Sequence, residues 1–332
     1  MNLHSLYKTI LLPASAGGVS TYSVKEVEAA PSYLLGKDAS ARPALLVQTA
    51  TIGRLLPAIK LKSFEAYFGV QCSLQNQTSG TTSARLAVIV CPAQDDETIR
   101  FFLSVCTSLI GLVGNRPEPD TLWAVANRIA SLFQKLSRPP TRSVNGLFGE
   151  LLTIWRSIDP VAMTEMWRAG PQARFDFAGV NLRVDVKTTT GRVRSHILSF
   201  EQANPPAGTL AIIASMFIER VGNGLSLGAL LRDIEEMLSS KPQLLLKLQE
   251  QTAETLGDSL QASLELQFDL NLSRTSFRLF RALDIPAVRG DLPAGVSSVH
   301  FTSDLSAIGP VSSSILCLEA EDAYPLAEAL ER

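Results

Sequence analysis

The stretch Leu182-Arg183-Val184-Asp185-Val186-Lys187 alternates apolar and charged residues without a break. A side-chain period of two is what a β-strand imposes, because successive Cβ atoms point to opposite faces of a sheet. Leu182, Val184 and Val186 therefore share one face, and Arg183, Asp185 and Lys187 the other. A turn at Ala178-Gly179 precedes this stretch, and Arg174-Phe175-Asp176-Phe177 lies before the turn. The pattern predicts a hairpin whose return strand runs Val180–Lys187 and whose first strand carries Asp176 alongside it. Two carboxylates and an ammonium so placed must find hydrogen bonds, water or counter-ions wherever they are buried. That requirement limits what can pack around the hairpin.

Upstream, residues 146–158 (GLFGELLTIWRSI) place Leu147, Phe148, Leu151, Leu152, Ile154, Trp155 and Ile158 on one broad helical face. Glu150 lies at the edge of that face, next to Leu147 and Ile154. Taken alone it reads as an ordinary exposed glutamate, but a carboxylate at that edge can also lean over whatever the helix packs on. Between helix and hairpin, Trp167-Arg168-Ala169-Gly170-Pro171 reads as a turn.

The Pro139-Pro140 pair marks the first boundary, and the chain divides into regions 1–140, 141–240 and 241–332. In the first, Ala44–Val47 and Arg85–Val90 read as strands, Gln75–Thr82 as a polar loop, and two helices follow. One begins at the acidic run Asp95-Asp96-Glu97 and ends near Gly111 or Gly114. The other follows Pro117–Asp120, carries Leu122, Ala126, Ile129 and Phe133, and ends near Ser137. The third region opens with a polar helix, Gln243–Gly257, and continues with strand-like runs at Ser263–Leu270, Phe277–Leu283 and Ser298–Thr302.

Hydrophobic residues make up 46% of the 332-residue chain and charged residues 19%, enough apolar material for a sizeable core. The net charge of −2 excludes a global basic field, so any nucleic-acid contact must be local or supplied by a partner. The most apolar stretch, Phe101–Val113, is too short to span a bilayer, and the N-terminus has no signal-peptide pattern. A soluble cytoplasmic protein is expected. Cys72, Cys91, Cys106 and Cys317 are far apart and fit small buried hydrophobes in a reducing compartment. With three histidines and no C-x-x-C pair, no zinc site is readable.

The hairpin residues have a chemical reading. Mg²⁺ takes hard oxygen ligands, usually a few carboxylates and several waters. Asp176 and Asp185 can reach one such ion, and the Val186 carbonyl could add a ligand. Lys187 beside them could orient or deprotonate an attacking water, or neutralise charge in the transition state. An unadorned Asp-x-Lys is common in any sequence, and a surface hairpin with one weak ion pair is its plainer reading. The order of features strengthens the first reading: acid on a helix, aspartate, then Asp-x-Lys, then a basic strand. In that strand, Arg192, Arg194 and His196 alternate onto one face. Residues 141–200 hold eight basic and five acidic side chains, a local surplus of three. Such a face suits phosphate contacts, which position DNA without reading its sequence.

Other features read as structure. Trp155 and Trp167 fit core packing better than base stacking. Arg274, Arg278 and Arg281, interleaved with Phe277 and Phe280, fit a solvated face. Gly222-x-Gly224 with Gly228 lacks the lysine of a phosphate-binding loop.

Asp176…Asp185-Val186-Lys187 with Glu150 upstream resembles the PD-(D/E)xK nuclease superfamily. More narrowly, GLFGELL, WRAGP, FDF, VDVKTT and SHILSFEQ resemble a PD-(D/E)xK family of unassigned function found in bacterial restriction and phage-defence clusters. The resemblance is strongest over 145–202. It implies an α/β (α+β) restriction-endonuclease-like core, a mixed sheet flanked by helices, with an additional N-terminal α/β region and a C-terminal β-containing region. It further implies DNA cleavage dependent on Mg²⁺ (or Mn²⁺). Carried over by position, Asp176 and Asp185 are metal ligands, Lys187 is the catalytic lysine, Glu150 completes the metal site or holds a metal-bound water, and Gln202 stands near the site. Phe175 replaces the proline of the motif, and the second acid is the shorter aspartate. The resemblance also implies partners: DNA, an ATPase or helicase, and a methyltransferase. One site per chain cuts one strand, so a double-strand cut needs a homodimer or two successive events. The other reading of the same residues is a catalytically silent subunit that keeps the nuclease fold for DNA binding or assembly.

Overall fold

A computed structural model describes residues 2–14, 20–49, 56–76, 80–168, 170 and 174–329. Contacts group the chain into two units. One comprises Met1–Thr141 with Ser239–Gln261, the other Arg142–Leu238 with Ala262–Arg332. The breaks at 141 and 238 fall beside the boundaries expected from sequence, but residues 241–332 serve both units. The helix at the start of that segment buries its apolar face in the first unit, and the strands after it join the second.

In the first unit, β1 (Thr21–Glu26), β2 (Tyr33–Lys37), β3 (Pro43–Val47), β4 (Ile59–Lys60), β5 (Glu65–Asn76) and β6 (Gly80–Val90) form a sheet ordered β1-β2-β3-β6-β5-β4. β5 also pairs in parallel with β1, from Thr21↔Ser73 to Ser23↔Gln75. The five longer strands thus close into a ring. A ring of odd number cannot alternate direction all the way round, which is why one pair is parallel. Closure removes exposed sheet edges. Tyr22, Val24, Ala44, Leu46, Cys72, Leu74, Leu86, Val88 and Val90 point inward at alternate positions and form its core.

The helices α1 (Leu3–Lys8), α2 (Asp96–Val113), α3 (Pro119–Lys135) and a fourth, Pro242–Leu256, belong to the same unit. Phe133 of α3 stacks on Phe64 at 5.2 Å and meets Phe101 and Phe102 edge-on. The expected polar loop Gln75–Thr82 is the tip of the β5–β6 hairpin, paired as far as Asn76↔Gly80. Residues 77–79 lie outside the described residues.

In the second unit, α4 (Val144–Arg156) and α5 (Pro160–Met166) precede β7 (Phe177–Ala178), β8 (Leu182–Thr189), β9 (Ser195–Ser199), α6 (Phe200–Ala203), β10 (Leu210–Phe217), β11 (Arg220–Ser226) and α7 (Leu227–Met237). β12 (Gln267–Phe268), β13 (Arg278–Arg281) and β14 (His300–Asp304) follow, with short helices at Leu270–Thr275 and Ser313–Glu319. The central sheet is ordered β13-β10-β8-β7 and is mixed: β8 runs parallel to β10, while β7–β8 and β10–β13 are antiparallel. A parallel neighbour requires a crossover, supplied here by β9 and α6. The expected α+β class, a mixed sheet flanked by helices, is what the chain adopts.

α4 packs on β8 and α7. Gly149 sets the closeness of that packing, since a Cβ there would meet Thr188 Cγ2 at 2.4 Å and Val186 Cγ1 at 3.2 Å. Phe148 stacks on Phe268 at 4.1 Å. The run Ser263–Leu270 departs from expectation: it holds the end of a short helix, Leu260–Leu264, and only the two-residue β12. Leu260 and Leu264 fall four residues apart on one helical face and are both buried. Among the described residues, no helix is long and apolar enough to cross a membrane. Cys72, Cys91, Cys106 and Cys317 are free thiols, the first three buried.

Candidate active site

β8 lies between β7 and β10 and has α4 against one face. Val186 and Thr188 turn toward α4, so the period of two sends Asp185 and Lys187 to the other face. That face is also covered, and Asp185 is 3% exposed. Asp185 Oδ1 accepts from Gln202 Nε2 at 2.5 Å. Asp185 Oδ2 is buried and pairs with Lys187 Nζ at 2.8 Å.

The β7–β8 register pairs Phe177 with Val184 and Ala178 with Arg183. One step further in that register sets Asp176 opposite Asp185. The ladder ends there because the Asp176 side chain takes the strand's next donor: Val186 N–H donates to Asp176 Oδ2 at 2.8 Å. The contact Val186 makes with the acids is thus through its amide N–H. Asp176 Oδ1 faces Arg142 Nη1 at 3.5 Å. Burial and the charges of Glu150 and Asp185 push the Asp176 carboxyl well above the usual carboxylate range. Burial likewise pushes Asp185 up, against the pull of Lys187.

Glu150 is 4% exposed, so the exposed-glutamate reading does not hold. Its Oε2 accepts from Trp167 Nε1 at 2.6 Å and from Arg168 Nε at 2.9 Å, and its Oε1 from Arg168 Nη2 at 3.0 Å. α5 makes this possible: after it, Trp167 pairs with Phe177 along the outer edge of β7. Arg168 N–H then donates to the Asp176 carbonyl at 2.7 Å. Arg168 therefore touches both acids, Glu150 through its guanidinium and Asp176 through its backbone. Ala169 and Pro171 of the expected turn lie outside the described residues. Neither Arg168 nor Arg142 was anticipated; the arginine two residues before Gly170-Pro171 was the available signal.

Gln202 takes its place through local capping chemistry. Ser199 caps α6, and Gln202 at the third helical position returns Oε1 to the Ser199 N–H at 2.9 Å. This leaves Nε2 for Asp185 and, at 3.3 Å, for the Arg174 carbonyl.

The expected phosphate face of Arg192, Arg194 and His196 is not built. β9 begins only at Ser195. Arg192 pairs with Glu219 at 3.0 Å. Arg194 Nη1 donates to Ser215 O and Oγ at 2.9 and 2.8 Å, with its guanidinium over the Phe217 ring. His196 is 4% exposed and meets Ser215 Oγ at 2.8 Å. Its phase along β9 matches that of buried Leu198, which turns it inward. Burial, helped by the charges of Lys187 and Arg194, lowers its pKa to about 4. His196 is thus neutral when folded, whereas the unfolded chain protonates it near its ordinary value. Stability is fully present above about 6.5 and is lost as pH falls toward 4, by about 3 kcal/mol in all. In EDTA, His196→Gln is expected to flatten that part of the pH–stability curve. A urea midpoint that drops equally in both chains between pH 7 and pH 4.5 would contradict this.

Trp167 is fully buried, and its ring nitrogen also serves Glu150. Trp155 is half-buried and donates to Asp233. Arg274 and Arg281 pair with Glu328 and Glu319. A shallow groove between Val221–Leu225 and Asp269–Asn271 has none of the acids in its lining.

A hard divalent cation fits part of this arrangement. Asp185 Oδ2 is a buried oxygen whose close partner is the Lys187 ammonium, and two carboxylates with raised proton affinity face one region. Mg²⁺ is commonly held by one or two carboxylates plus waters and substrate phosphate. Among the described residues no group of three or more Asp, Glu, His or Cys side chains is arranged around a metal. Glu150 adds charge but has both oxygens engaged.

A family model described as "Putative PD-(D/E)XK family member, (DUF4420)" matches residues 3–306. Neither a curated protein nor a solved structure matches the chain.

Proposed function

The chain belongs to this PD-(D/E)XK family, and from that premise we propose that it is a metal-dependent deoxyribonuclease working through Asp176, Asp185 and Lys187. What carries the reading is one juxtaposition. Two carboxylates with raised pKa, Asp185 buried and Asp176 12% exposed at its side chain, stand opposite each other in the β7–β8 register, and an ammonium lies 2.8 Å from one of them. Such a cluster is costly unless a cation completes it.

Asp176 and Asp185 would hold Mg²⁺ or Mn²⁺. The bound ion would acidify a water and offset charge on the phosphate. Gln202 fixes Asp185 Oδ1 and so presents Oδ2. The Val186 amide fixes Asp176 Oδ2 and leaves Oδ1 toward Arg142. Lys187 Nζ is placed to orient the attacking water or to meet charge developing on the phosphate. Glu150, held by Trp167 and Arg168, adds negative charge behind the pair, and its resemblance-based place on the metal would require release from that clamp.

The test is supercoiled plasmid with Mg²⁺ or Mn²⁺, beside an EDTA control and Lys187→Ala. Metal-dependent nicking that Lys187→Ala lowers by roughly a hundredfold or more supports the reading. Cleavage that survives both EDTA and Lys187→Ala overturns it.

The setting we propose is a bacterial restriction or anti-phage system, in which an ATPase or helicase and a methyltransferase supply DNA and targeting. The near-neutral chain and the internally engaged Arg192 and Arg194 favour DNA delivered by partners over capture by a broad basic face. One observation favours the silent-subunit reading: no three-ligand metal cluster among the described residues. It predicts a chain that binds DNA equally well in EDTA and in Ca²⁺.

A further inference from the structure

Arg142 stands immediately before Ser143, the N-cap of α4. Its side chain is 49% exposed, and among the described residues its one ion-pair contact is long, 3.5 Å from Nη1 to Asp176 Oδ1. The other cations of the cluster are held differently. Arg168 is 6% exposed and grips Glu150 with two guanidinium nitrogens. Lys187 is 22% exposed and sits 2.8 Å from Asp185.

Arg142 therefore faces the Asp176 carboxylate at one end and solvent at the other, without a tight partner among the described residues. A guanidinium presents donors in a planar fork that matches two oxygens of a phosphodiester. Its surroundings also favour an anion. The first turn of α4 carries the positive end of the helix dipole. In that turn Arg220, an exposed residue of β11, rests its Nη2 on the neutral Asn145 Oδ1 at 3.1 Å, so its charge is not offset there.

Resting on the nuclease reading above, we propose that Arg142 is a substrate-contacting residue that binds the phosphodiester being cut. It waits on Asp176 Oδ1 in the metal-free protein. Were Asp176 to hold a cation, Arg142 would be released from that carboxylate and free to present its fork to a phosphate. The ligand class is a nucleic-acid backbone phosphate, bound without regard to base sequence. Arg220 contacts a neighbouring phosphate of the same strand.

The experiment uses the full chain with a fluorescent DNA duplex in Ca²⁺, a plasmid in Mg²⁺, and Tb³⁺ luminescence without DNA. Arg142→Gln is expected to bind Tb³⁺ as tightly as the natural chain or more tightly, since a competing charge is gone. It is expected to cut roughly a hundredfold more slowly. The slope of log affinity for duplex against log salt should fall by about one, the signature of one lost phosphate contact. Arg142→Lys should restore the slope and only part of the rate, because it returns the charge and not the fork. A weakened Tb³⁺ affinity in Arg142→Gln, or an unchanged salt slope and rate beside an active natural chain, overturns the role of Arg142 alone. A natural chain that neither binds duplex in Ca²⁺ nor cuts in Mg²⁺ overturns the nuclease reading itself.

Discussion

Replacing Arg168 by methionine is expected to destabilise the second unit by about 3–5 kcal/mol, the range for removing one partner of a buried ion pair. Arg168 and Glu150 are 6% and 5% exposed at their side chains, and the guanidinium meets both carboxylate oxygens. Methionine fills much of the same volume but, among the described residues, leaves the Glu150 carboxylate in the interior with only the Trp167 N–H. The backbone contributes further reason to expect a large effect. Arg168 has a φ of 45°, in the left-handed region that costs a side-chain-bearing residue about 1–2 kcal/mol. That conformation persists because the N–H on the Asp176 carbonyl and the fork on Glu150 hold it.

The decisive comparison is with the double variant Glu150→Met plus Arg168→Met. An unpaired charge is what makes the single change expensive, so removing both partners should recover most of the loss. Urea denaturation of the natural chain, both single variants and the double variant in EDTA measures this. A single variant within about 1 kcal/mol of the natural chain, or a double variant as weak as the sum of the two, would show that the clamp does not hold this region.

This clamp also marks where the sequence stops being informative. The β7–β8 hairpin was legible because alternation has one cause, the pleat of a strand, and Leu182–Lys187 carries it without interruption. α4 was legible for the same kind of reason, with a period of 3.6 through Leu147, Leu151 and Ile154. The partners of Glu150 were not. Nothing local to GLFGELL or WRAGP says that a second short helix will swing Trp167-Arg168 against β7, since that depends on packing between segments 18 residues apart. The same limit explains the misplaced basic face. Alternation groups Arg192, Arg194 and His196 but is silent on which group faces inward, and exposed Ile197 (65%) shows that hydropathy alone points the wrong way here. Leu198, in phase with His196, was the better guide. In the first unit β1 and β2 escaped notice because a closed ring under helices covers both faces of a strand. β1, for example, opens with four buried residues in a row, which erases alternation. Gln202, by contrast, was carried by resemblance and had a local cause in the sequence itself, the Ser199-x-x-Gln202 capping box.

The acids at the centre of the site should trade stability against activity in a way that depends on metal. In EDTA, Asp176→Asn is expected to raise the denaturation midpoint above that of the natural chain at pH 7. The folded pKa of Asp176 lies above its unfolded value, because burial and the charges of Glu150 and Asp185 oppose ionisation. The unfolded chain therefore ionises first, and stability falls as pH rises from the ordinary carboxylate range through the folded pKa. Asparagine removes that fall and keeps the acceptor for the Val186 N–H. Mg²⁺ should reverse the order. A ligand that binds only the folded chain stabilises it by about 2.7 kcal/mol at a hundred times its dissociation constant, and the variant has lost one of two carboxylates able to bind it. Cleavage should fall roughly a thousandfold, as expected when several kcal/mol of charge stabilisation is removed. Midpoints measured at pH 5, 7 and 8.5, each with EDTA and with Mg²⁺, separate the possibilities. A variant less stable than the natural chain in EDTA would mean that Asp176 is chiefly a structural cap for β8. A natural chain whose midpoint ignores Mg²⁺ at every pH would mean that the two carboxylates are paired by Lys187 and Arg142 alone, and the site would then be a scaffold and not a catalyst.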